Sequence, residues 1–523
     1  MKRFIAFLSI TVFSLTAIPF NTTAKISEKS EPNAIRVTPP APKFTDSERQ
    51  SELARRRKAV ADKLPDDSML MLFSSEPKQY AGDVDFMYRQ ENNLYYLTNL
   101  KQNGATFVMT KSGGKVQEVL FVPERNPQYE TWNGHMYSND DAARISGVNT
   151  INFSSELEKF LQSVKSQTSF TAENKTLIPT AKNLYLLLPE SETDSEGMRE
   201  YRQEKNFSNT LSNYKIENAN PLFAGLRLIK SPYEIKLMQH AVDISTEAHL
   251  RAMATARNVK FEYETQAEIE YIFRKRNADY WGYPSIVGCG PNATTLHYEE
   301  SQSAVKPGDL LLMDVGAEYD HYTADVTRTF PVNGKFSKVQ SEVYRIVYDA
   351  QEAAAAKIKP GARFSEPSQA AAKVIEEGLA KLGLIEKVGA FIPGTQRDAT
   401  DGKGGTRKVG VPQYTLWYMH GWGHWLGMNV HDVGDYSAKF KPGMIMTNEP
   451  GIYVREDALD YFPDTPEAKA FIAKIRPAFE KYKNIGVRIE DDMLVTDSGR
   501  EWMTKNLPRR IDEIENFIAQ SAK

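Results

Sequence analysis

Short hydrophobic runs alternate with amphipathic stretches along the first half of the chain. Runs of this length, bounded by polar and turn residues, are typical of buried strands, and here they predict strands over 68–73, 104–110, 118–122 and 184–188. Stretches with helical periodicity lie between them, and an Arg- and Glu-rich helix is predicted ahead of them over 46–64. Strands that alternate with helices indicate an α/β domain, which we assign to residues 46–221.

The pattern changes near residue 222. Ser231 is followed by Pro232 and, three residues on, by Glu234, an arrangement that predicts a capped helix start. This helix is expected to run to about Arg257. Further helices are predicted over 265–277, 337–358 and 466–482, with strands of alternating polarity between them. The mixture predicts an α+β domain over 222–505 and a helical C-terminal tail over 506–523.

The N-terminus has the pattern of a secretion signal. Lys2 and Arg3 precede an apolar run over 4–20, which ends in small residues. This order predicts a signal peptide over 1–24, followed by a polar, Pro-rich linker over 25–45. A membrane anchor is the alternative, but the run is just short of the ~18 residues that span a bilayer. We therefore expect a secreted or periplasmic protein without a stable membrane anchor after processing.

The composition narrows the kinds of partner and metal site. The 523 residues are 41% hydrophobic and 25% charged, which is typical of a folded protein. The net charge of −3 gives no indication of a basic domain of the kind that binds nucleic acid, so we expect no nucleic-acid partner. Cys289 is the single cysteine, which excludes an intramolecular disulfide and a Cys-rich zinc site. Any metal must therefore be bound by oxygen and imidazole ligands.

Two aspartates are predicted to meet across a hairpin. Strand-like runs flank residues 318–321, and if Tyr319 and Asp320 form the loop, Asp314 faces Asp325. Like charges in opposed positions destabilise a hairpin, so the pair needs a proton or a cation between its members. Two solvated surface aspartates are the alternative. The apolar flanks favour burial, where unpaired charge is costly.

Two glutamates and four histidines add to this candidate site. Glu490 lies on a predicted strand beside an apolar face, and Glu449 ends another strand before a Pro-Gly turn. The histidines fall in two segments: His297 in the first, and His420, His424 and His431 in the second. Taken singly, a histidine is more often a core residue and a glutamate is more often solvated. The HExxH zinc motif is absent from the sequence. Together with two aspartates, they fit a binuclear hydrolase site for Mn²⁺ or a similar ion.

Five motifs in this order resemble a known family. They are DVGxxxxxYxxDVTRT, HGxGHxLG, VHDVG, EPG and RIEDD, spread over about 224–505. The set resembles the pita-bread (M24) metallopeptidases, and within them the Xaa-Pro aminopeptidase and prolidase branch. Residues 83–98, with YRQ and YYLT, resemble the front domain of that branch. The resemblance implies an α/β N-terminal domain followed by an α+β pita-bread (creatinase/aminopeptidase) catalytic domain.

The resemblance also implies a site and an activity. It implies two divalent ions, with Mn²⁺ expected, bound by Asp314, Asp325, His424, Glu449 and Glu490. The catalytic residues that it implies are His297, His420, His431 and Glu449. The implied substrate-binding residues are the same three histidines together with Tyr436 and Arg488. The implied substrates are peptides with an Xaa-Pro N-terminus, from which the first residue is released. A homo-oligomer is also allowed, because relatives are often dimers or tetramers.

Two other functions stay open. One is a prolidase, confined to Xaa-Pro dipeptides, and the other is a metal-free binding protein on the same fold. All five ligand positions are filled, which disfavours the second. Residues 391–415 and 454–484 depart from the family pattern as a Gly-rich basic loop and a helical excursion, and we expect them to crowd the mouth of the cleft. Because prolidases also tend to carry a long segment between the two glutamates, the substrate length stays undecided at this point.

Overall fold

A computed structural model of the protein describes residues 35–521 apart from 173–174, 178–180, 192 and 401–405. The predicted signal peptide and the first part of the predicted linker lie outside the described residues. Among the residues that are described, no helix combines the length and apolar character needed to cross a membrane.

The first half of the chain forms a mixed six-stranded sheet in the order β10-β9-β1-β4-β5-β6. Its strands are β1 (Ser68–Phe73), β4 (Thr106–Ser112), β5 (Lys115–Val122), β6 (Ile151–Phe153), β9 (Asn183–Leu186) and β10 (Lys215–Asn218). Two small hairpins add β2 (Gln79–Ala81), β3 (Val84–Asp85), β7 (Phe170–Ala172) and β8 (Lys175–Leu177). The helices are α1 (Asp46–Lys63), α2 (Asn92–Thr98), α3 (Pro127–Asn133), α4 (Asn139–Ser146), α5 (Leu157–Ser166), α6 (Ser195–Glu200), α7 (Arg202–Ser208) and α8 (Asn220–Arg227). The four predicted strands and the predicted first helix are confirmed, with small shifts at their ends.

The central strand of this sheet separates two hydrophobic cores. Leu70 and Leu72 of β1 pack into one core, and Met69 and Met71 pack into the other. Because successive strand residues point to opposite faces, a strand buried on both faces shows an unbroken apolar run. That is why the run over 68–73 predicts a strand correctly.

The second half contains several small sheets surrounded by helices. The helices are α9 (Pro232–Thr255), α10 (Glu262–Lys275), α11 (Lys338–Ala355), α12 (Ser365–Leu382), α13 (Pro466–Tyr482) and α14 (Ile511–Ser521). The first strands are β11 (Tyr280–Trp281), β12 (Ile286–Cys289), β13 (Leu310–Asp314), β14 (Ala317–Tyr319), β15 (Tyr322–Thr323) and β16 (Thr327–Pro331). The later strands are β17 (Arg397–Thr400), β18 (Thr406–Val409), β19 (Ile445–Asn448), β20 (Gly451–Val454), β21 (Ile485–Arg488), β22 (Asp491–Thr496) and β23 (Gly499–Trp502).

The capped helix start predicted at Ser231 is confirmed, and so are the helices predicted to begin near 337 and at 466. Ser231 accepts a hydrogen bond from the Glu234 backbone N–H, while the Glu234 side chain accepts one from Ser231, which closes a capping box. Ser337 caps α11 in the same way. Helix α13 has the predicted bounds of 466–482. These signals are local in sequence, which explains why the sequence is sufficient to locate them.

The predicted hairpin register is wrong by two residues. The loop consists of Asp320 and His321, both with positive φ (50° and 67°), so β13 pairs Asp314 with Thr327. A two-residue hairpin turn of this kind requires positive φ at both positions, which an Asp tolerates. The His321 ring stacks on Tyr95 of α2 at 3.7 Å between centroids, a contact that sequence spacing does not reveal.

The strands that carry the candidate site converge through one backbone bridge. Strands β12, β13 and β16 form one sheet, β19, β22 and β23 a second, and β20 and β21 a third. A bridge between Thr327 and Glu490 links the first sheet to the segment between β21 and β22. The ends of these strands therefore surround one cleft.

Candidate active site

All ten site residues predicted from the sequence line a single cleft of about 580 Å³. They are His297, Asp314, Asp325, His420, His424, His431, Tyr436, Glu449, Arg488 and Glu490. Asp314 ends β13, Glu449 follows β19, and Arg488 ends β21. The other residues lie on connecting segments, so the site depends on tertiary packing of several sheets.

Three of these residues form a candidate metal cluster. Asp325, His424 and Glu490 each offer a ligand atom within 4.8 Å of the others. His424 donates from Nδ1 to the Trp425 carbonyl oxygen at 3.0 Å, which leaves Nε2 facing the carboxylates. That Nε2 lies 3.2 Å from Asp325 Oδ2 and 3.4 Å from Glu449 Oε1. A backbone contact that fixes the tautomer in this way is typical of metal-binding histidines.

Tyr283 is a site residue that sequence analysis missed. Its hydroxyl oxygen lies 2.5 Å from Asp314 Oδ1 and 2.5 Å from Asp325 Oδ1. One hydroxyl proton can serve only one of the two carboxylates, so the arrangement favours a cation beside them. Tyr283 stands far upstream of the aspartates in a segment without a recognised motif, and no spacing signal could have located it.

Arg488 is the cation that the chain itself supplies. Its guanidinium donates to Asp314 Oδ2 at 2.6 Å and to the Tyr453 hydroxyl at 2.8 Å. The same hydroxyl lies 2.8 Å from His420 Nε2, so Tyr453, also missed from the sequence, links the arginine to the histidine. Within the described part of the chain, no other Lys or Arg pairs with Asp314, and none pairs with Asp325, Glu449 or Glu490.

The electrostatics of the cluster reflect this surplus of negative charge. Burial raises the pKa of Glu449 to about 7, and it raises the pKa of Glu490 well above its usual value, with Asp325 adding to both shifts. Burial and Asp314 likewise raise the pKa of Asp325. Burial alone would lower the pKa of His424, but Asp325 and Glu449 raise it to about 9. Because each shift reflects unbalanced carboxylates, the cluster suits bound cations.

His431 lies beside the cluster, with its ring centroid 4.1 Å from that of His424. The sequence of residues 430–433 predicts a strand, but this segment is irregular in the structure. Asp432 turns away from the cleft and pairs with Arg227 at 2.6 Å and with Lys230 at 3.2 Å.

His297 and Tyr436 also line the cleft, and both side chains are exposed. Among the described residues that line the cleft, none comes from 391–415 or 454–484.

A two-domain protein whose second domain gathers buried carboxylates and one imidazole in a cleft has the features of a metal-dependent hydrolase. Residues 236–497 match metallopeptidase family M24, and residues 53–171 match the aminopeptidase P N-terminal domain. The chain therefore belongs to metallopeptidase family M24. Both matched regions lie within the predicted domains.

Curated relatives and solved structures match most of the chain. The Xaa-Pro aminopeptidase of Haemophilus influenzae is 35% identical over 90% of this chain and 97% of its own length. The Xaa-Pro aminopeptidase of Escherichia coli is 31% identical over 91% of this chain and 99% of its own. A solved structure of zinc-substituted E. coli aminopeptidase P in complex with product superposes with a TM-score of 0.73 at 29% identity, covering 92% of this chain and 100% of that one. The predicted fold, an α/β domain followed by a pita-bread domain, is confirmed.

Proposed function

We propose that the protein is an Xaa-Pro aminopeptidase, an exopeptidase that releases the N-terminal residue from peptides with proline in second position. The observation that carries this proposal is the convergence of Asp314, Asp325, His424, Glu449 and Glu490 in one cleft. Enzymes of this name match the chain along 90% of its length. Two observations therefore support the proposal: the residues gathered in the cleft suit hydrolysis, and the matching relatives carry the name Xaa-Pro aminopeptidase.

Asp314, Asp325, His424, Glu449 and Glu490 would hold two divalent ions. The fit is supported by Asp325, Glu449 and Glu490, which have no Lys or Arg partner among the described residues, and by the single proton that Tyr283 offers to Asp314 and Asp325. Four carboxylates and one imidazole suit a hard ion such as Mn²⁺ better than a thiolate-preferring metal. Such ions supply Lewis-acid chemistry, polarising a carbonyl and making a water nucleophile available at neutral pH.

Glu449 is positioned to move protons. Its carboxylate lies 3.5 Å from His420 Nδ1 and accepts a hydrogen bond from the Thr447 hydroxyl at 3.1 Å. We assign to Glu449 the acceptance of a proton from the attacking water and its transfer to the departing proline nitrogen. Held by several groups, the carboxylate can keep one orientation through both transfers.

The histidines and Arg488 would bind and orient the peptide. His431 beside the cluster can donate to the oxygen of the scissile carbonyl as negative charge develops on it. His297, His420 and Tyr436 line the remainder of the cleft, and Arg488 is fixed by Asp314 and Tyr453. The proline nitrogen carries no N–H, so recognition must use the ring and the neighbouring carbonyls.

Metal removal combined with a peptide assay tests this function. Exhaustive chelation should abolish hydrolysis of an Xaa-Pro-Yaa tripeptide, and Mn²⁺ or Co²⁺ should restore it. Full activity after chelation would contradict the dinuclear site. No hydrolysis by the metal-loaded protein, with tight peptide binding, would favour the binding protein.

A prolidase is the second candidate. Helix α13 supports it, because this helix lies between Glu449 and Glu490, where prolidases tend to carry a long segment. The rates on an Xaa-Pro dipeptide and on the matching Xaa-Pro-Yaa tripeptide distinguish the two. A prolidase would cleave only the dipeptide, whereas an aminopeptidase of this kind would cleave the tripeptide.

We also propose that residues 1–24 direct export to the periplasm or the medium and are removed. N-terminal sequencing of protein from the periplasmic fraction should begin near residue 25. Uncleaved protein in the membrane fraction would indicate the anchor instead.

We also propose that the protein forms a homo-oligomer. Light scattering of the purified protein measures its mass in solution and tests this.

A further inference from the structure

The segment that carries His431 has little support from its own backbone. Residues 427–432, here called the His431 loop, form neither helix nor strand. Its backbone hydrogen bonds lie near its two ends. The Gly427 N–H donates to the Asn429 carbonyl at 3.2 Å, the Gly427 carbonyl accepts from the Thr323 N–H at 2.9 Å, and the Asp432 N–H donates to the Trp425 carbonyl at 2.9 Å. A loop of this kind needs anchors from elsewhere if its histidine is to keep one position.

Two side chains of the N-terminal domain contact this loop. Arg89 donates from Nη2 to the Met428 carbonyl oxygen at 2.7 Å, and Asn92 donates to the Asn429 side-chain oxygen at 2.5 Å. The two anchors are tied together, because Arg89 Nη1 also donates to Asn92 Oδ1 at 2.9 Å. Arg89 belongs to the YRQ segment, which no step of the proposed reaction uses.

The orientation of Arg89 is fixed by a buried partner. Its Nε lies 2.8 and 3.0 Å from the two carboxylate oxygens of Glu318, which is 6% exposed. One guanidinium therefore serves Glu318, Met428 and Asn92 at once. A planar group with several donors can do this, whereas a lysine ammonium cannot match that geometry.

The far end of the loop is anchored through the same N-terminal segment. Arg227 pairs with Asp432 and also donates from Nη1 to Asn93 Oδ1 at 3.0 Å. Lys230 holds the second oxygen of Asp432 at 3.2 Å, and both cations are buried. His431 thus lies between one anchor at 428–429 and another at 432, and both lead back to residues 89–93.

We propose that Arg89 and Asn92 are positioning residues that hold His431 in place for the reaction. The inference rests on the proposed function, because it assigns the N-terminal domain a part in that chemistry beyond stability. A displacement of about 1 Å in a reacting group can cost about 10²-fold in rate. Loss of either anchor should therefore lower kcat by about 10- to 10²-fold while the metal content and KM change little.

A matched control separates positioning from simple domain attachment. Lys101 also joins the two domains, lying 3.0 Å from both carboxylate oxygens of Asp279, and does not contact the loop. Its side chain is 40% exposed and that of Arg89 is 38% exposed. Arg89→Met and Lys101→Met should therefore both weaken the domain contact, but only Arg89→Met should lower kcat.

The experiment measures kcat, KM and hydrogen–deuterium exchange over 427–432 for wild type, Arg89→Met, Asn92→Ala and Lys101→Met, each loaded with Mn²⁺. Hydrogen–deuterium exchange over 427–432 should rise and kcat should fall in Arg89→Met and Asn92→Ala, but not in Lys101→Met. In a His431→Ala background, Arg89→Met should lower kcat no further, because the group it positions is gone. Asn92→Ala leaves the Arg89–Glu318 pair intact and supplies the same readouts if Arg89→Met does not fold.

Equal kcat and equal loop exchange in the Arg89 and Lys101 variants would overturn the proposal. So would an undiminished effect of Arg89→Met in the His431→Ala background. A wild-type protein that cleaves no Xaa-Pro peptide would refute the proposed function instead. The exchange data would still show whether Arg89 and Asn92 hold the loop.

Discussion

Glu490 and Asp491 are consecutive acidic residues with opposite surroundings. Both are almost fully buried, at 2% and 1% exposed. Glu490 faces the cleft, where its one side-chain donor among the described residues is the Thr327 hydroxyl at 2.6 Å. Asp491 faces away and accepts from Arg328 at 2.6 Å, from Gln351 at 2.8 Å and from the Thr504 hydroxyl.

The comparison shows how one protein treats buried charge in two ways. The chain supplies the cation for Asp491, so loss of that carboxylate would leave Arg328 buried without its partner. Among the described residues no Lys or Arg pairs with Glu490, whose pKa is raised well above its usual value by burial and by Asp325. A buried charge without a chain partner is costly, and its retention indicates a partner from outside, here a metal ion.

Glu490→Gln should give the largest effect. It keeps the shape of the side chain and removes a charge from the proposed cation site, so activity should fall by at least about 10³-fold. The metal-free protein should melt at the same or a higher temperature, because one repelling charge is gone. Peptide hydrolysis and thermal unfolding in chelator check both expectations, and a large loss of melting temperature would show that Glu490 is structural.

Asp491→Asn is the matched change at the neighbouring acid, which points away from the cleft. It leaves Arg328 buried without its carboxylate, which should lower the free energy of unfolding by about 3–5 kcal/mol. The protein that remains folded should still bind two ions. Denaturant unfolding and metal analysis decide the outcome, and a variant that is as stable as wild type but metal-free would reverse our comparison.

Tyr283→Phe tests the cleft side with a smaller change. Removing the hydroxyl takes its one donated hydrogen bond from the Asp314–Asp325 pair, and the loss of such a supporting group should weaken metal affinity by about 10- to 100-fold. Calorimetric titration of the metal-free protein with Mn²⁺ measures this. Unchanged affinity together with lost stability would place Tyr283 among the structural residues.

Thr504→Val should give the smallest effect. It removes one hydrogen bond to the charged Asp491 and keeps the shape, which should cost about 2 kcal/mol of stability. Activity and metal content should stay at the wild-type level, because Thr504 does not line the cleft. A fall in kcat that exceeds the loss of folded protein would show that the two faces are coupled.

Local signals predicted several elements well. The start of α9 follows from Ser231, Pro232 and Glu234, and the bounds of α13 follow from its own periodicity and cap. The hairpin register failed, because the choice between two turns one residue apart depends on the contact between His321 and Tyr95. The expected strand around His431 failed for a similar reason, since side chains from residues 89–93 hold that segment.

The sequence by itself determined the candidate ligand types, their order along the chain and the family, because these are carried by residue identity and short motifs. Only the tertiary structure decided that Arg328 pairs with Asp491, since nothing in the motif RIEDD points to an arginine far upstream. Only the tertiary structure brought Tyr283 to the aspartates and Arg89 to Met428. The physical reason is that hydrophobic periodicity encodes the face on which a residue lies, whereas the partner that it meets there depends on the packing of elements far apart in sequence.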